Sequence, residues 1–301
     1  MVDLSIIIVS YNTKDLAKKC LDTLIDTLSL TPKVTAEIIV VDNASSDNSV
    51  YMLKKYAGLH KNVKTIFNSQ NSGFAKANNE GFAAAQGMYI LCLNSDVLAN
   101  NTNFEDLLYY MNKNKNVGAL SVRVELPNGK IDTASHRGLP TIWRAFTYFS
   151  QLEKTFGKIP FFSKIFGGYH LLHLDINTIH EVEAISGAFF LTRKSIIDRT
   201  GGFDTRFFMY GEDLDLSYQI KKMGYKIIYY PLFTVLHLKY QSGLKKQLTA
   251  KSTAKKTRSK TKTYFFDSMR IFYDKHFAPK NNELINNLIY FFITLKRKLT
   301  K

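Results

Sequence analysis

Four polar clusters each follow a short apolar run: Ser10-Tyr11-Asn12, Asp42-Asn43, Asn68 to Gly73, and Asn94-Ser95-Asp96. A fifth, Gly211-Glu212-Asp213-Leu214-Asp215, follows the apolar Phe207-Phe208-Met209-Tyr210 and opens a helical pattern that continues to about Met223. Acids in such settings do two kinds of chemistry. An Asp–x–Asp-like element after a buried strand, here Asn94-Ser95-Asp96, holds a hard divalent cation that bridges to a substrate diphosphate. An acid desolvated by aromatic neighbours, as Glu212 and Asp213 are expected to be, suits a general base. Any one Asp, Asn or Ser is also an ordinary cap or turn former, and acids in a first helical turn gain about 0.3–1 kcal/mol from the backbone dipoles. Recurrence at four strand ends is what points to a site.

The elements that must position these residues alternate over the first hundred positions. Apolar runs at Leu4–Val9, Glu37–Val41, Val63–Phe67 and Met88–Leu93 are separated by helical patterns at Asp15–Leu28, Asn48–Tyr56 and Ala75–Gln86. Ile6-Ile7-Ile8-Val9 and Ile38-Ile39-Val40-Val41 lack polar alternation, as strands buried on both faces of a parallel sheet do. The expected class is α/β, a Rossmann-like, mostly parallel central sheet flanked by helices, in which ligands bind beyond the carboxyl ends of the strands. Residues 101–240 carry a helix at Phe104–Asn112, strands at Gly118–Val124, Ala184–Leu191 and Lys226–Tyr230, and an aromatic stretch within Thr141–Tyr169. That stretch reads as a mobile or acceptor-facing insertion, with its Phe and Tyr residues more often core than platform. Gly187 marks a place where something approaches the backbone closely.

No Gly-x-Gly-x-x-Gly follows the first strand and no Gly-Lys-Ser/Thr loop occurs, so a bound nucleotide is held by other means. Cys20 and Cys92 allow neither a disulfide framework nor a cysteine zinc site, and fit a reducing cytoplasm. The chain begins without a basic leader pattern, and no apolar run approaches the roughly 20 residues of a membrane span. The formal charge is +16 over 301 residues, yet residues 239–301 hold 16 basic residues against 3 acidic ones. The body is nearly neutral, which with the absence of a nucleic-acid module argues against nucleic-acid binding.

Taken together, Ser5-Ile6-Ile7-Ile8-Val9-Ser10-Tyr11-Asn12, Val40-Val41-Asp42-Asn43-Ala44-Ser45-Ser46-Asp47, Asn71-Ser72-Gly73-Phe74-Ala75-Lys76-Ala77-Asn78, Leu93-Asn94-Ser95-Asp96 and Gly211-Glu212-Asp213-x-Asp215 resemble the family 2 inverting glycosyltransferases. Within that family the likeness is to the rhamnosyltransferase-like branch of bacterial surface-polysaccharide synthesis, and it covers roughly residues 4–240. The resemblance implies a GT-A fold, a UDP- or dTDP-sugar donor, Mg²⁺ or Mn²⁺, and single displacement onto a hydroxyl of a glycan or lipid-linked glycan acceptor. It places Ser10, Tyr11, Asn12, Asp42, Asn43, Gly73, Asn78, Asn94 and Ser95 on the donor. In that set Tyr11 lies against the base and Asp42 accepts from a pyrimidine imide N–H. Asp213 is then the general base, with Glu212 and Gly187 on the acceptor side and Asp96 and His237 at the metal. Asn94 stands where the family has its first acid, which leaves one fewer carboxylate for the ion.

The expected organisation is a domain over 1–240, with a nucleotide-binding half at 1–100 and an acceptor and catalytic half at 101–240, followed by a basic helical extension at 241–301. Lys245 to Lys262 contains no acid and reads as a solvated helix or loop, with Lys245 or Lys246 able to neutralise donor phosphates and Lys239 to Ser242 able to fold over the donor. The aromatics of Tyr264 to Phe277 and the apolar-basic mix of Leu284 to Lys298 suit a helix lying in an anionic interface. The protein is therefore expected in the cytoplasm, peripheral at the inner face of the cytoplasmic membrane. Two rivals remain: a sugar- or polyanion-binding protein on a degenerate transferase scaffold, suggested by Asn94 and the tail, and a nucleotidyltransferase, which normally needs a Gly-rich basic loop that Ser10-Tyr11-Asn12 does not provide.

Overall fold

The computed structural model describes residues 1–239 and 251–300. Its first third runs β1 (Leu4–Ser10), α1 (Lys14–Ser29), β2 (Ala36–Asp42), α2 (Ser49–Leu59), β3 (Val63–Phe67), α3 (Phe74–Ala84) and β4 (Tyr89–Asn94). The middle holds β5 (Val97–Asn101), α4 (Phe104–Lys113), β6 (Val117–Glu125), α5 (Ile142–Phe149), α6 (Leu152–Phe156), α7 (Ser163–Phe166), β7 (His180–Val182) and β8 (Phe189–Arg193). The chain continues through α8 (Lys194–Thr200), α9 (Glu212–Lys222), β9 (Lys226–His237), α10 (Lys251–His276) and α11 (Glu283–Leu299). Among the described residues one sheet forms in the order β3-β2-β1-β4-β8-β6-β9-β5, with β7 on β9.

The strands β3, β2, β1 and β4 are parallel, β8 enters antiparallel to β4, and β6 and β9 pair parallel to each other. Alternate residues of the unbroken apolar runs face two separate cores. Ile6, Ile8, Val40, Leu91 and Leu93 join α1, α2 and α4 on one side. Ile7, Ile39, Ile90 and Cys92 join α3, α8 and α9 on the other. Two-sided burial is why these strands carry no polar alternation. Chain order reverses at β1, whose neighbours are β2 and β4, so the crevice at the carboxyl ends of β1 and β4 is the sheet's switch point.

Two expectations need correction. The strand expected over Ala184–Leu191 begins only at Phe189, because Ser186 to Ala188 turn and the Ala188 N–H donates to Ser186 Oγ at 3.2 Å. The strand expected to end at Tyr230 continues to His237: Val122 pairs with Tyr230 and Arg123 with Thr234, so Pro231, which has no N–H to give, sits in a bulge inside a longer strand. The Thr141–Tyr169 segment folds into three short helices, and its aromatics are divided. Phe156, Phe162 and Phe166 pack together, while Trp143, Phe146, Tyr148 and Phe161 are exposed.

The C-terminal helices are tied to the body. Lys275 Nζ lies 2.9 Å from Asp215 Oδ2 and 2.7 Å from Asp204 Oδ2, and His276 Nε2 lies 2.6 Å from Asp215 Oδ1. Tyr264 stacks on Phe208 with centroids 4.6 Å apart. Tyr240 to Ser242, Lys245 and Lys246, expected over the donor, lie outside the described residues.

Candidate active site

The strand ends converge as expected. The Thr13 hydroxyl bridges Ser10 Oγ at 3.0 Å and Ser95 Oγ at 3.2 Å, which joins the ends of β1 and β4. Asn12 sits in the left-handed region at φ 53°, an arrangement Asn tolerates. From there its N–H donates to Ser45 Oγ at 2.9 Å and its Oδ1 accepts from Ser46 N at 2.7 Å. Tyr11, between them, keeps an exposed ring.

Asp42 ends β2 fully buried. Its Oδ2 accepts from the Ser45 N–H at 2.9 Å, whereas its Oδ1 is buried with no hydrogen-bond partner among the described residues. A carboxylate oxygen stranded this way is costly unless a ligand donor reaches it. Asn43 organises the next loop: its Nδ2 donates to Asn71 Oδ1 at 3.0 Å and Gly73 O at 3.2 Å, and its Oδ1 accepts from Ser72 N at 3.0 Å. Gly73, at φ 88°, lies so close to Phe208 that an added Cβ would meet Phe208 O at 2.7 Å, and the Phe74 N–H donates to that same carbonyl at 2.8 Å. The 71–73 loop is thereby fastened to the segment that leads into Glu212. Asn78 is buried inside α3 with its Nδ2 on Phe74 O at 2.9 Å, so it braces the helix start.

At the end of β4, Asn94 is half-buried and Asp96 is buried. β5 follows at once and pairs with β9, setting Val97 opposite His237, and the Leu238 N–H donates to Asp96 O at 2.8 Å. His237 Nε2 then lies 3.2 Å from Asp96 Oδ1, and His237 Nδ1 lies 2.9 Å from Asp132 Oδ2. Burial disfavours a charged His237 ring, but the two carboxylates outweigh it and push its pKa up to about 9. Asp132, despite burial, is held below the usual carboxylate range by His237 and by Lys239, whose Nζ is 2.9 Å from Asp132 Oδ1. Among the described residues no three His, Cys, Asp or Glu side chains gather around a common metal position. The Asp96–His237 pair fits a cation whose remaining ligands are phosphate oxygens and water, and does not form an all-protein cage.

The second acidic cluster is built as a helix start. Glu212 and Asp213 occupy the first turn of α9, and Asp213 Oδ2 accepts from Arg137 Nη2 at 2.9 Å and from the Gly187 N–H at 3.2 Å. Gly187, singled out as a point of close approach, thus contacts the carboxylate through its backbone. Glu212 is buried beside it with Oε2 unpartnered, and burial followed by the Asp213 charge raises its pKa to about 8.

Sequence reasoning missed Thr13, Asp132 and Arg137. Thr13 lies one residue beyond a quoted cluster. Asp132 returns from the Pro127-Asn128-Gly129 turn, where Glu125 bridges Ile131. Arg137 stands in a stretch without periodicity and carried no local signal.

The glycosyl transferase family 2 model matches residues 5–172, more than half of the chain. The chain is 35% identical over 138 residues to the poly(ribitol-phosphate) beta-glucosyltransferase of Bacillus spizizenii, covering 46% of this chain and 20% of that one. It is 26% identical over 234 residues to the N-acetylglucosaminyl-diphospho-decaprenol L-rhamnosyltransferase of Mycobacterium tuberculosis, covering 74% of this chain and 73% of that one. The chain therefore spans only a fifth of the first relative's length. Among solved structures, the mannosyltransferase of Pyrobaculum calidifontis superposes with TM-score 0.54 at 17% identity, covering 93% of this chain and 65% of that one, and S. aureus TarS with TM-score 0.52 at 16% identity, covering 79% and 37%. These two likenesses establish the α/β fold of the glycosyltransferases. From the family match and the strand-end site that it spans, the chain belongs to glycosyl transferase family 2.

Proposed function

We propose that this protein is an inverting glycosyltransferase that moves a sugar from a UDP- or dTDP-sugar to a hydroxyl of a lipid-linked glycan acceptor in bacterial polysaccharide synthesis. The carrying observation is Asp42 Oδ1, buried and without a partner among the described residues at the end of β2, where Asp42 pairs in register with Ser10, the residue before the exposed Tyr11. That oxygen is ready to accept the imide N–H of uracil or thymine, which cytosine lacks, while Tyr11 covers the base. Asn43 and Gly73 hold the loop that closes on the nucleoside, and Ser10, Thr13 and Ser95 form the floor between the two strands.

Asp96 and His237 are the residues that would hold Mg²⁺ or Mn²⁺ together with the donor diphosphate. When bound, the ion would offset charge on the departing diphosphate. Asp132 on Nδ1 aims the imidazole, and His237 must give up its second proton to act as a ligand. Asp213 takes the proton of the acceptor hydroxyl as that oxygen attacks the anomeric carbon, and Arg137 with the Gly187 N–H fixes the carboxylate for that step. The name of the mycobacterial relative supports a lipid-linked acceptor, and with it work at the inner face of the cytoplasmic membrane.

The test is a panel of UDP-, dTDP- and GDP-sugars with Mg²⁺, Mn²⁺ or EDTA, reading nucleoside diphosphate release by the wild type and Asp213→Asn. Metal-stimulated release from one uridine or thymidine donor, lost in the variant, is expected. Absence of binding to every sugar nucleotide would favour the binding-protein reading that Asn94 suggests.

A further inference from the structure

Helix α11 carries its apolar residues outward. Leu284, Leu288, Phe291, Phe292, Leu295 and Leu299 recur at helical spacing along one stripe, all are exposed, Phe291 at 60%, and no residue of α11 is buried. The opposite face makes the contacts to α10: Tyr290 OH donates to Asp274 Oδ1 at 2.6 Å, Arg297 Nη1 to Asp267 Oδ1 at 3.0 Å, and Asn286 Oδ1 accepts from Tyr273 OH at 2.7 Å. A surface helix of a self-sufficient body turns its apolar stripe inward. Here the inner face holds the body through these polar contacts with half-buried Ile289 and Ile293 among them, and the larger apolar stripe still faces out, which calls for an apolar cover.

A second apolar exposure lies on α5 and the loop between α6 and α7, with Trp143 at 48%, Phe146 at 53% and Phe161 at 80%. The two exposures meet at Lys296, whose Nζ donates to Phe149 O at 2.9 Å and stands 5.9 Å from the Phe149 ring centroid. Exposed cations border both: Lys158 and Lys164 on the insertion, and Lys298 on α11. No helix among the described residues is long and apolar enough to cross a membrane. An apolar stripe with a rim of Lys, too short to span, matches an anionic bilayer surface.

We propose that α11 and the 142–166 segment form one docking surface for an anionic lipid bilayer, with the leucines and aromatics entering the headgroup boundary and the rim cations on lipid phosphates. The segment from Gly138 to Thr141 is all that separates Arg137, bonded to Asp213, from α5, so the docked surface adjoins the acceptor side of the site. The docking stands on its own geometry and does not require the transfer chemistry.

The test floats the full chain with vesicles of phosphatidylcholine alone or mixed with phosphatidylglycerol. Wild type is expected to rise with the anionic vesicles and to be released by high salt. The pairs Leu288→Asp/Phe291→Asp and Trp143→Ser/Phe146→Ser each lower the bound fraction about tenfold or more. Lys298→Gln, which leaves every apolar group in place, lowers partitioning about fivefold. Unchanged circular dichroism shows that the variants fold, and nucleoside diphosphate release with a soluble acceptor, read in parallel, separates loss of docking from loss of transfer. Wild type that does not float, or variants that float as well as wild type, overturn the proposal. A wild-type dimer by light scattering, split by Leu288→Asp/Phe291→Asp and indifferent to vesicles, assigns the stripe to a second copy of the chain and overturns it as well.

Discussion

Arg137 holds Asp213: Nη2 lies 2.9 Å from Oδ2 and both side chains are almost wholly enclosed, with 12% and 13% of their surfaces accessible. Asp213 also accepts from the Leu214 N–H at 2.7 Å through Oδ1. Among the described residues every hydrogen bond to this carboxylate thus comes from a group that fixes its direction, so that in the proposed reaction an acceptor hydroxyl would meet an already oriented acid. Asp213→Asn keeps the size and an acceptor oxygen while removing the basic site. It is predicted to lower kcat about 10²–10⁴-fold with donor Kd unchanged. Arg137→Gln is predicted to lower kcat less, again without moving donor Kd. Turnover by Asp213→Asn within a few-fold of wild type would remove Asp213 from the base role.

Asp42 should act on the base alone. Asp42→Ala removes a charge-assisted hydrogen bond and is predicted to weaken UDP about ten- to a hundredfold while leaving CDP, which lacks the imide proton, little changed. Calorimetric titration of the two nucleotides checks this. Equal losses for both would mean that Asp42 only supports the Ser45 turn.

Much of this arrangement was legible in the sequence because it is local. Strands buried on both faces write their burial directly as unbroken runs such as Ile6-Ile7-Ile8-Val9, and parallel order then carries Ser10, Asp42 and Asp96 to one edge. What stayed hidden depends on long-range closure. Asp132 meets His237 across 105 positions of sequence and Arg137 meets Asp213 across 76, and neither partner sits in a periodic pattern. β5 is not legible because Val97-Leu98-Ala99-Asn100-Asn101 is too short and polar to announce a strand, and only its pairing with β9 makes it one. The same pairing is what brings His237 to Asp96.

Glu212 makes stability depend on pH. Its carboxyl pKa is raised from 4.5 to about 8, first by burial and then by the neighbouring Asp213 charge, with Arg137 opposing. A group raised in the folded state holds its proton there and loses it when unfolded, so its contribution is complete below about pH 4.5 and is lost as pH rises through about 8. Wild type is predicted to lose on the order of 3 kcal/mol between pH 5 and 8 relative to Glu212→Gln, whose side chain cannot ionise. Urea denaturation of both proteins across that range measures the difference. Parallel stability curves would show that Glu212 is ionised in the folded protein throughout.

Asp215 is the anchor between the acid-bearing helix and the C-terminal helices. It is fully buried, with Lys275 Nζ and Gln219 Nε2 on one oxygen and His276 Nε2 on the other. Asp215→Ala takes one of the two carboxylates from Lys275 and leaves the buried His276 Nε2 without its carboxylate partner beside a cavity, and breaking a buried pair from one side typically costs about 3–5 kcal/mol. Asp204, the second carboxylate on Lys275, is more accessible and leaves Asp215 in place when removed, so Asp204→Ala is predicted to cost less than half as much. Urea denaturation at pH 7 compares the two. The ranking follows from which carboxylate is enclosed: if Asp204→Ala proved the more damaging change, α10 would be held through the Asp204 loop and the link from α9 to the C-terminal helices would be incidental.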